Sequence, residues 1–175
     1  EIRLSLVGSE MCIRDRDAIV ATMALCEAAA YYKTQGKTLW DAMIEMYEQF
    51  GYYKDDIKSV TMKGIEGLQK IQDIMNSLRQ NPPAEFAGHK VVAVRDYKAD
   101  TIKNLETGEV TPTGLPNSNV LYYELTNDAW VCVRPSGTEP KVKFYYGVKG
   151  TSLADADEKS AVMGKAVLDM VDSMM

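Results

Sequence analysis

The stretch from Asn119 to Val148 constrains the fold more than any other part of this chain. Asn119–Leu125 and Trp130–Val133 are rich in β-branched and aromatic residues and flank Thr126-Asn127-Asp128, a turn candidate, so they are predicted to pair as a hairpin. Lys141–Val148 alternates in the same way and adds a further strand. Ile57–Met62 (IKSVTM) and Val91–Val94 also read as strands. Ala99–Ser118 is polar, with turn residues at Gly108, Pro112, Gly114 and Pro116, and reads as a long loop or an irregular hairpin. Ile65, Leu68, Ile71, Met75 and Leu78 repeat at helical spacing until Asn81-Pro82-Pro83 stops them. Ser152 with Asp155 forms a variant capping box that opens a last helix through Met163, Val167, Met170 and Met174. The expectation is an α+β domain: a mostly antiparallel four- to five-stranded sheet with two helices packed on one face.

Residues before Tyr53 follow another period. Asp17–Gln35 is alanine-rich, apolar on most sides and followed by Gly36, the pattern of a buried helix with a glycine C-cap. Thr38 is placed to cap a second helix, whose Leu39, Met43, Met46 and Phe50 share a face before Gly51. Two helices with no sheet of their own read as left over from an incomplete α/β domain. The expected division is residues 17–53 for that helical end and 54–175 for the C-terminal domain. Because the chain starts at Glu1 instead of methionine, a piece of a longer protein is expected.

Charge narrows the function classes. The net charge is −5, from 20 basic and 25 acidic residues, which argues against nucleic acid as a partner because phosphate contacts need a basic surplus. Any anion bound here must be small and held by a local cluster. Cys12, Cys26 and Cys132 form no CxxC pair, and with His89 the only histidine there is no zinc spacing; reduced cytoplasmic thiols are expected. The longest apolar stretch, Ala18–Cys26, falls far short of the roughly 20 residues that span a bilayer, and no signal peptide is visible, so no membrane partner is expected.

One cluster stands out: Val133–Gly150, VRPSGTEPKVKFYYGVKG. A phosphate monoester carries close to two negative charges on several acceptor oxygens. Arginine offers a planar fork of donors, Ser and Thr add hydroxyls, and glycine allows backbone N–H groups to approach closely. Arg134, Ser136, Gly137 and Thr138 supply these within five residues, and Pro135 keeps Arg134 extended. In an extended segment Lys141 and Lys143 share one face while Val142 and Phe144 share the other. Glu139 opposes the reading unless it points away or pairs with a lysine. Ser-Gly also marks plain turns, and lysines on a strand face also make an ordinary solvated surface, so spacing alone leaves both readings open.

RPSGTEPKVKFY resembles the C-terminal phosphate-binding loop of the α-D-phosphohexomutases, the phosphoglucomutase and phosphomannomutase family. DAIVATMALCEAAAYYKTQGKTLWDAM is similar to the helices that close the family's third domain, and SNVLYYEL…WVCVRPSGTEPK is similar to its fourth. The resemblance implies a four-domain intramolecular phosphotransferase that interconverts sugar 1- and 6-phosphates, using a phosphoserine in the first domain and Mg2+ in the second, with glucose 1,6-bisphosphate as cofactor. The fourth domain would grip the non-reacting phosphate of a phosphosugar through Arg134, Ser136, Gly137, Thr138 and Lys143, with Lys141 as a possible addition. The run SGTEPKVKFYYGVKG and the KTLWDAM helix resemble the glucose-specific members; a phosphomannomutase, a phosphopentomutase or a non-catalytic phosphate-binding module are the alternatives. No TASHNP-like serine loop, DGDGD-like metal loop or intact GEES-like sugar segment is present, so the chain holds no catalytic or metal-binding residue by this reading. It is expected to be inactive without the preceding domains of the same enzyme.

Residues 1–16 fit the family poorly and are expected to be a junction, non-native or disordered. Arg14-Asp15-Arg16-Asp17 resembles a family RDKD segment, with Arg16 in place of a phosphosugar-contacting lysine. His89 is expected at the surface, Trp40 and Trp130 in packing, the methionines as core filler, and Tyr145 as a half-buried strand residue or part of a cleft lining.

Overall fold

The structure, a computed structural model, describes residues 18–62, 64–137 and 139–174. They fall into two compact units that divide between Phe50 and Gly51.

The first unit holds helix α1 (Ala18–Thr34) and helix α2 (Leu39–Phe50). The end of α1 is a Schellman cap: Gly36 takes φ 72°, its N–H reaches Lys33 O at 3.1 Å and Lys37 N–H reaches Tyr32 O at 3.0 Å. Thr38 then caps α2. Its Oγ1 accepts from Asp41 N at 3.2 Å while Asp41 Oδ2 accepts from Thr38 N at 2.8 Å. The expected burial of α1 is not found, since neither helix contains a buried residue and Ile19 is 74% exposed. A helix apolar on most sides can hide only the stripe that meets a neighbour, and the unit has one neighbour to offer. Trp40, expected in packing, is likewise exposed at 59%.

The second unit carries eight strands: β1 (Tyr52–Thr61), β2 (Glu85–Phe86), β3 (His89–Asp96), β4 (Thr101–Asn104), β5 (Val110–Thr111), β6 (Leu121–Leu125), β7 (Trp130–Pro135) and β8 (Lys141–Gly150). Its helices are α3 (Gly64–Gln80) and α4 (Leu153–Asp172). The sheet order is β1-β8-β7-β6-β3-β4-β5, with β2 paired to β3, and every pairing is antiparallel. Eight strands correct the expected four to five. The additional ones, β2, β4 and β5, have two to four residues each and lack a run of alternating apolar positions from which to be read. The segment read as loop or irregular hairpin is the β4–β5 hairpin, and β1 is longer than IKSVTM suggested.

Alternation in the central strands decides where the core lies. Leu121, Tyr123, Val131, Val133, Val142, Phe144, Tyr146 and Val148 are buried. Against them lie Ile71, Ile74, Met75 and Leu78 of α3 and Met163, Val167 and Val171 of α4, all in one cluster. Both helices therefore cover the same face, the expected α+β arrangement. Ser152 caps α4 by accepting from Asp155 N at 3.2 Å. The β6–β7 turn bends through Asn127 (φ 63°) and Asp128 (φ 57°), residue types whose short polar side chains tolerate the left-handed region. The opposite, helix-free face carries Arg95, Tyr122, Glu124, Trp130, Arg134, Lys143 and Tyr145. There Tyr122 stacks on Trp130 with centroids 5.5 Å apart, and the Arg95 guanidinium lies 5.6 Å from the Tyr122 ring centroid.

Candidate anion site on the helix-free face

The connection between β7 and β8 is held in shape by its own backbone. Ser136 N–H donates to Lys141 O at 2.8 Å, Lys141 N–H donates to Glu139 O at 2.8 Å, and Glu139 N–H reaches Ser136 Oγ at 3.3 Å. Met62 N–H donates to Pro140 O at 2.8 Å, tying the connection to the end of β1. Pro135 closes β7 opposite Val142 and keeps the residue before it extended.

Register then gathers the cations. Arg134 and Lys143 are paired positions across β7 and β8, and both stand on the helix-free face because Val133, Val142 and Phe144 point into the core. Arg134 is exposed and Lys143 half-buried. Among the described residues, no carboxylate lies within ion-pair distance of either. Lys141 is different, because its ammonium forms an ion pair with Glu139. That hydrogen bond, followed by the charges of Lys141 and Lys143, holds the Glu139 carboxyl below its usual range. Glu139 is thus the carboxylate that pairs with a lysine, and it occupies Lys141 in doing so.

Ser136 and Gly137 follow Arg134 on the connection, and a Cβ built on Gly137 would meet nothing within 4 Å. The structure brings Arg134, Ser136, Gly137 and Lys143 to one end of the sheet. Thr138 and Arg16 lie outside the described residues. Cys132, two positions before Arg134 on the same face, borders a largely apolar hollow of about 410 Å3 with Tyr97, Leu115, Pro116, Val120 and Tyr122. Burial pushes its thiol up to about 11, against a smaller opposing pull from the Arg134 guanidinium. His89 is half-buried at the start of β3, and its Nδ1 sits 3.0 Å from Thr126 O. A carbonyl accepts only, so that nitrogen carries the proton and the ring ties β3 to the β6–β7 turn. Among the described residues no three His, Cys, Asp or Glu side chains converge as a metal site would need, and no helix is long and apolar enough to cross a membrane.

Pairing between β1 and β8 was not legible beforehand. It sets Ser59 beside Lys143 and Thr61 beside Lys141. No local pattern signals which residue of one strand will face which residue of another so distant in the chain.

Comparison with known proteins gives this geometry a lineage. Residues 74–164 match the family model described as phosphoglucomutase/phosphomannomutase, C-terminal domain. A phosphoglucomutase of Staphylococcus aureus (strain bovine RF122 / ET3-1) is 37% identical over 155 residues, and that of strain MSSA476 is 36% identical over 155 residues. Each alignment covers 89% of this chain and 28% of the relative, so the chain spans little more than a quarter of the length of these proteins. A crystal structure of the Paramecium exocytosis-sensitive phosphoprotein pp63/parafusin (phosphoglucomutase), open form, superposes with a TM-score of 0.52 at 13% identity, covering 90% of this chain and 26% of that one. At that identity the likeness speaks for the fold alone. The family model takes in just over half of the chain, including the whole β7–β8 connection, and on that ground this chain belongs to the phosphoglucomutase/phosphomannomutase family.

Proposed function

We propose that the chain is the C-terminal part of a phosphoglucomutase-like enzyme that interconverts glucose 1-phosphate and glucose 6-phosphate in the cytoplasm. In this reading residues from 54 onward form its fourth, phosphate-binding domain, and 17–53 close its third. Arg134, Ser136, Gly137, Thr138 and Lys143 grip the phosphate that is not reacting. The single observation that carries this is the pairing of Arg134 with Lys143 on the helix-free face, with no carboxylate within ion-pair distance of either among the described residues. Two adjacent cations beside hydroxyls and an open backbone suit a dianion better than any neutral ligand. Holding the idle end of the sugar supplies binding energy that positions the other end, which is what a phosphoryl transfer needs most.

The Mg2+ implied by the family would need a cluster of metal-ligating side chains, and none converges among the described residues. The chain by itself is expected to bind the phosphosugar weakly and to turn none over. Titration of the 15N-labelled chain with glucose 6-phosphate tests the reading: amide shifts should concentrate at residues 134–143. Arg134→Ala should abolish those shifts while the spectrum elsewhere stays folded. Unchanged shifts and affinity in that variant would remove the loop as the ligand site.

A further inference from the structure

We infer that the hydroxyl of Ser59, on edge strand β1, is a further ligand of the same anion site, so that the phosphate is held from three strands and not from the β7–β8 connection alone. The inference rests on the phosphate reading above and extends it. Its basis is the register: Arg134 of β7 pairs with Lys143 of β8, and Lys143 pairs in turn with Ser59 of β1. The three side chains stand in one row on the helix-free face. On β1 this parity is fixed from the other side, since Val60 packs against the core and Met62 is buried within it, which turns Ser59 and Thr61 outward. Strands lie about 4.8 Å apart, so the hydroxyl stands about one strand spacing from the lysine backbone and about two from the arginine.

Chemistry separates Ser59 from its neighbours in the row's surroundings. Ser59 is exposed and makes no hydrogen bond to a described residue, leaving its O–H as a donor directed at solvent. Lys143 beside it has no carboxylate at ion-pair distance among the described residues. Thr61 also faces outward, but its partner Lys141 is held by Glu139, which leaves that pair with no net positive charge to attract an anion. Ile57, on the other side of Ser59, offers no donor. The anion therefore has one hydroxyl available from β1. An edge strand is also where such a residue costs the fold least, because Ser59 supports no packing that its hydroxyl could disturb.

The test uses the whole 175-residue chain with glucose 6-phosphate as the probe, followed by isothermal titration and by NMR. Ser59→Ala should weaken binding about tenfold to hundredfold, the range for one hydrogen bond to a charged acceptor. Ser59→Thr, which keeps the hydroxyl, should bind within about twofold of the parent, and so should Thr61→Val, which alters the strand but not the proposed ligand. All three should melt with the parent chain. If Ser59→Ala binds like the parent while Arg134→Ala does not, the role of Ser59 is overturned and the loop reading survives. Equal losses in Ser59→Ala and Thr61→Val would also overturn it, since the effect would then belong to the strand and not the hydroxyl. Binding unaffected by Arg134→Ala, or no binding by the parent chain at millimolar sugar phosphate, would overturn both readings together.

Discussion

Gly137→Ala separates ligand binding from folding at the β7–β8 connection. A Cβ at this position meets no atom within 4 Å, and Gly137 is not among the residues with positive φ. The methyl group therefore clashes with nothing in the free protein and imposes no backbone strain. Replacing glycine where the conformation is compatible lowers the entropy of the unfolded chain, which stabilises by about 0.4–1 kcal/mol. The melting temperature should hold or rise by at most a few degrees, roughly what such an energy produces in a unit of this size. Binding should move the other way. If the backbone N–H groups of the connection approach a phosphate closely, a methyl group in that open space obstructs the approach. Loss of one charge-assisted hydrogen bond, about 1.5–3 kcal/mol, corresponds to roughly a tenfold to hundredfold weaker dissociation constant. Calorimetric titration with glucose 6-phosphate and a thermal melt on the same sample measure both quantities. Unaltered affinity would refute the close backbone approach, and a drop of several degrees in melting temperature would refute the claim that this space is open.

Three other outcomes follow from the second unit. Gly150→Ala should destabilise by about 1–3 kcal/mol in urea unfolding, because its Cβ would lie 2.5 Å from the backbone N of Ala156, which cannot swing aside as a side chain can. The hydrogen bond from Lys159, followed by that from Thr151 N–H, holds the Asp155 carboxyl down to about 2, from an ordinary 3.8. Since the folded value is the lower, its support for the start of α4 is complete above about pH 4 and is lost as pH falls toward 2. Asp155→Asn should accordingly flatten the melting temperature against pH within that window. Cys132, with its thiol pushed up to about 11, should stay unreactive to iodoacetamide at pH 8, whereas exposed Cys26 labels readily; mass spectrometry of the labelled peptides distinguishes them.

Local order was legible wherever the period of the side chains carried it. NVLYYEL and WVCV showed the β6–β7 hairpin because one of their faces is buried, and a half-buried strand writes alternation into its residues. Caps at Gly36, Thr38 and Ser152 were equally readable, since each acts on backbone groups within a few residues. The β4–β5 hairpin stayed ambiguous because Thr101–Asn104 packs too little to need apolar positions. The reach of β1 was understated for a related reason. Tyr52–Asp56 belong to an edge strand with little to bury, so YYKDD carries no alternation.

The residue types of the proposed anion site, and the placing of four of its six proposed ligands within five positions, were written in the chain itself, because donor chemistry belongs to the side chain and needs no neighbour to exist. So was the buried face of the central strands, through a period of two that the core enforces. Which positions stand side by side was settled on folding: Arg134 next to Lys143, Lys143 next to Ser59, and Lys141 drawn away by Glu139. Register between strands is a property of the whole sheet, set by how its buried faces interlock, and no single segment contains it.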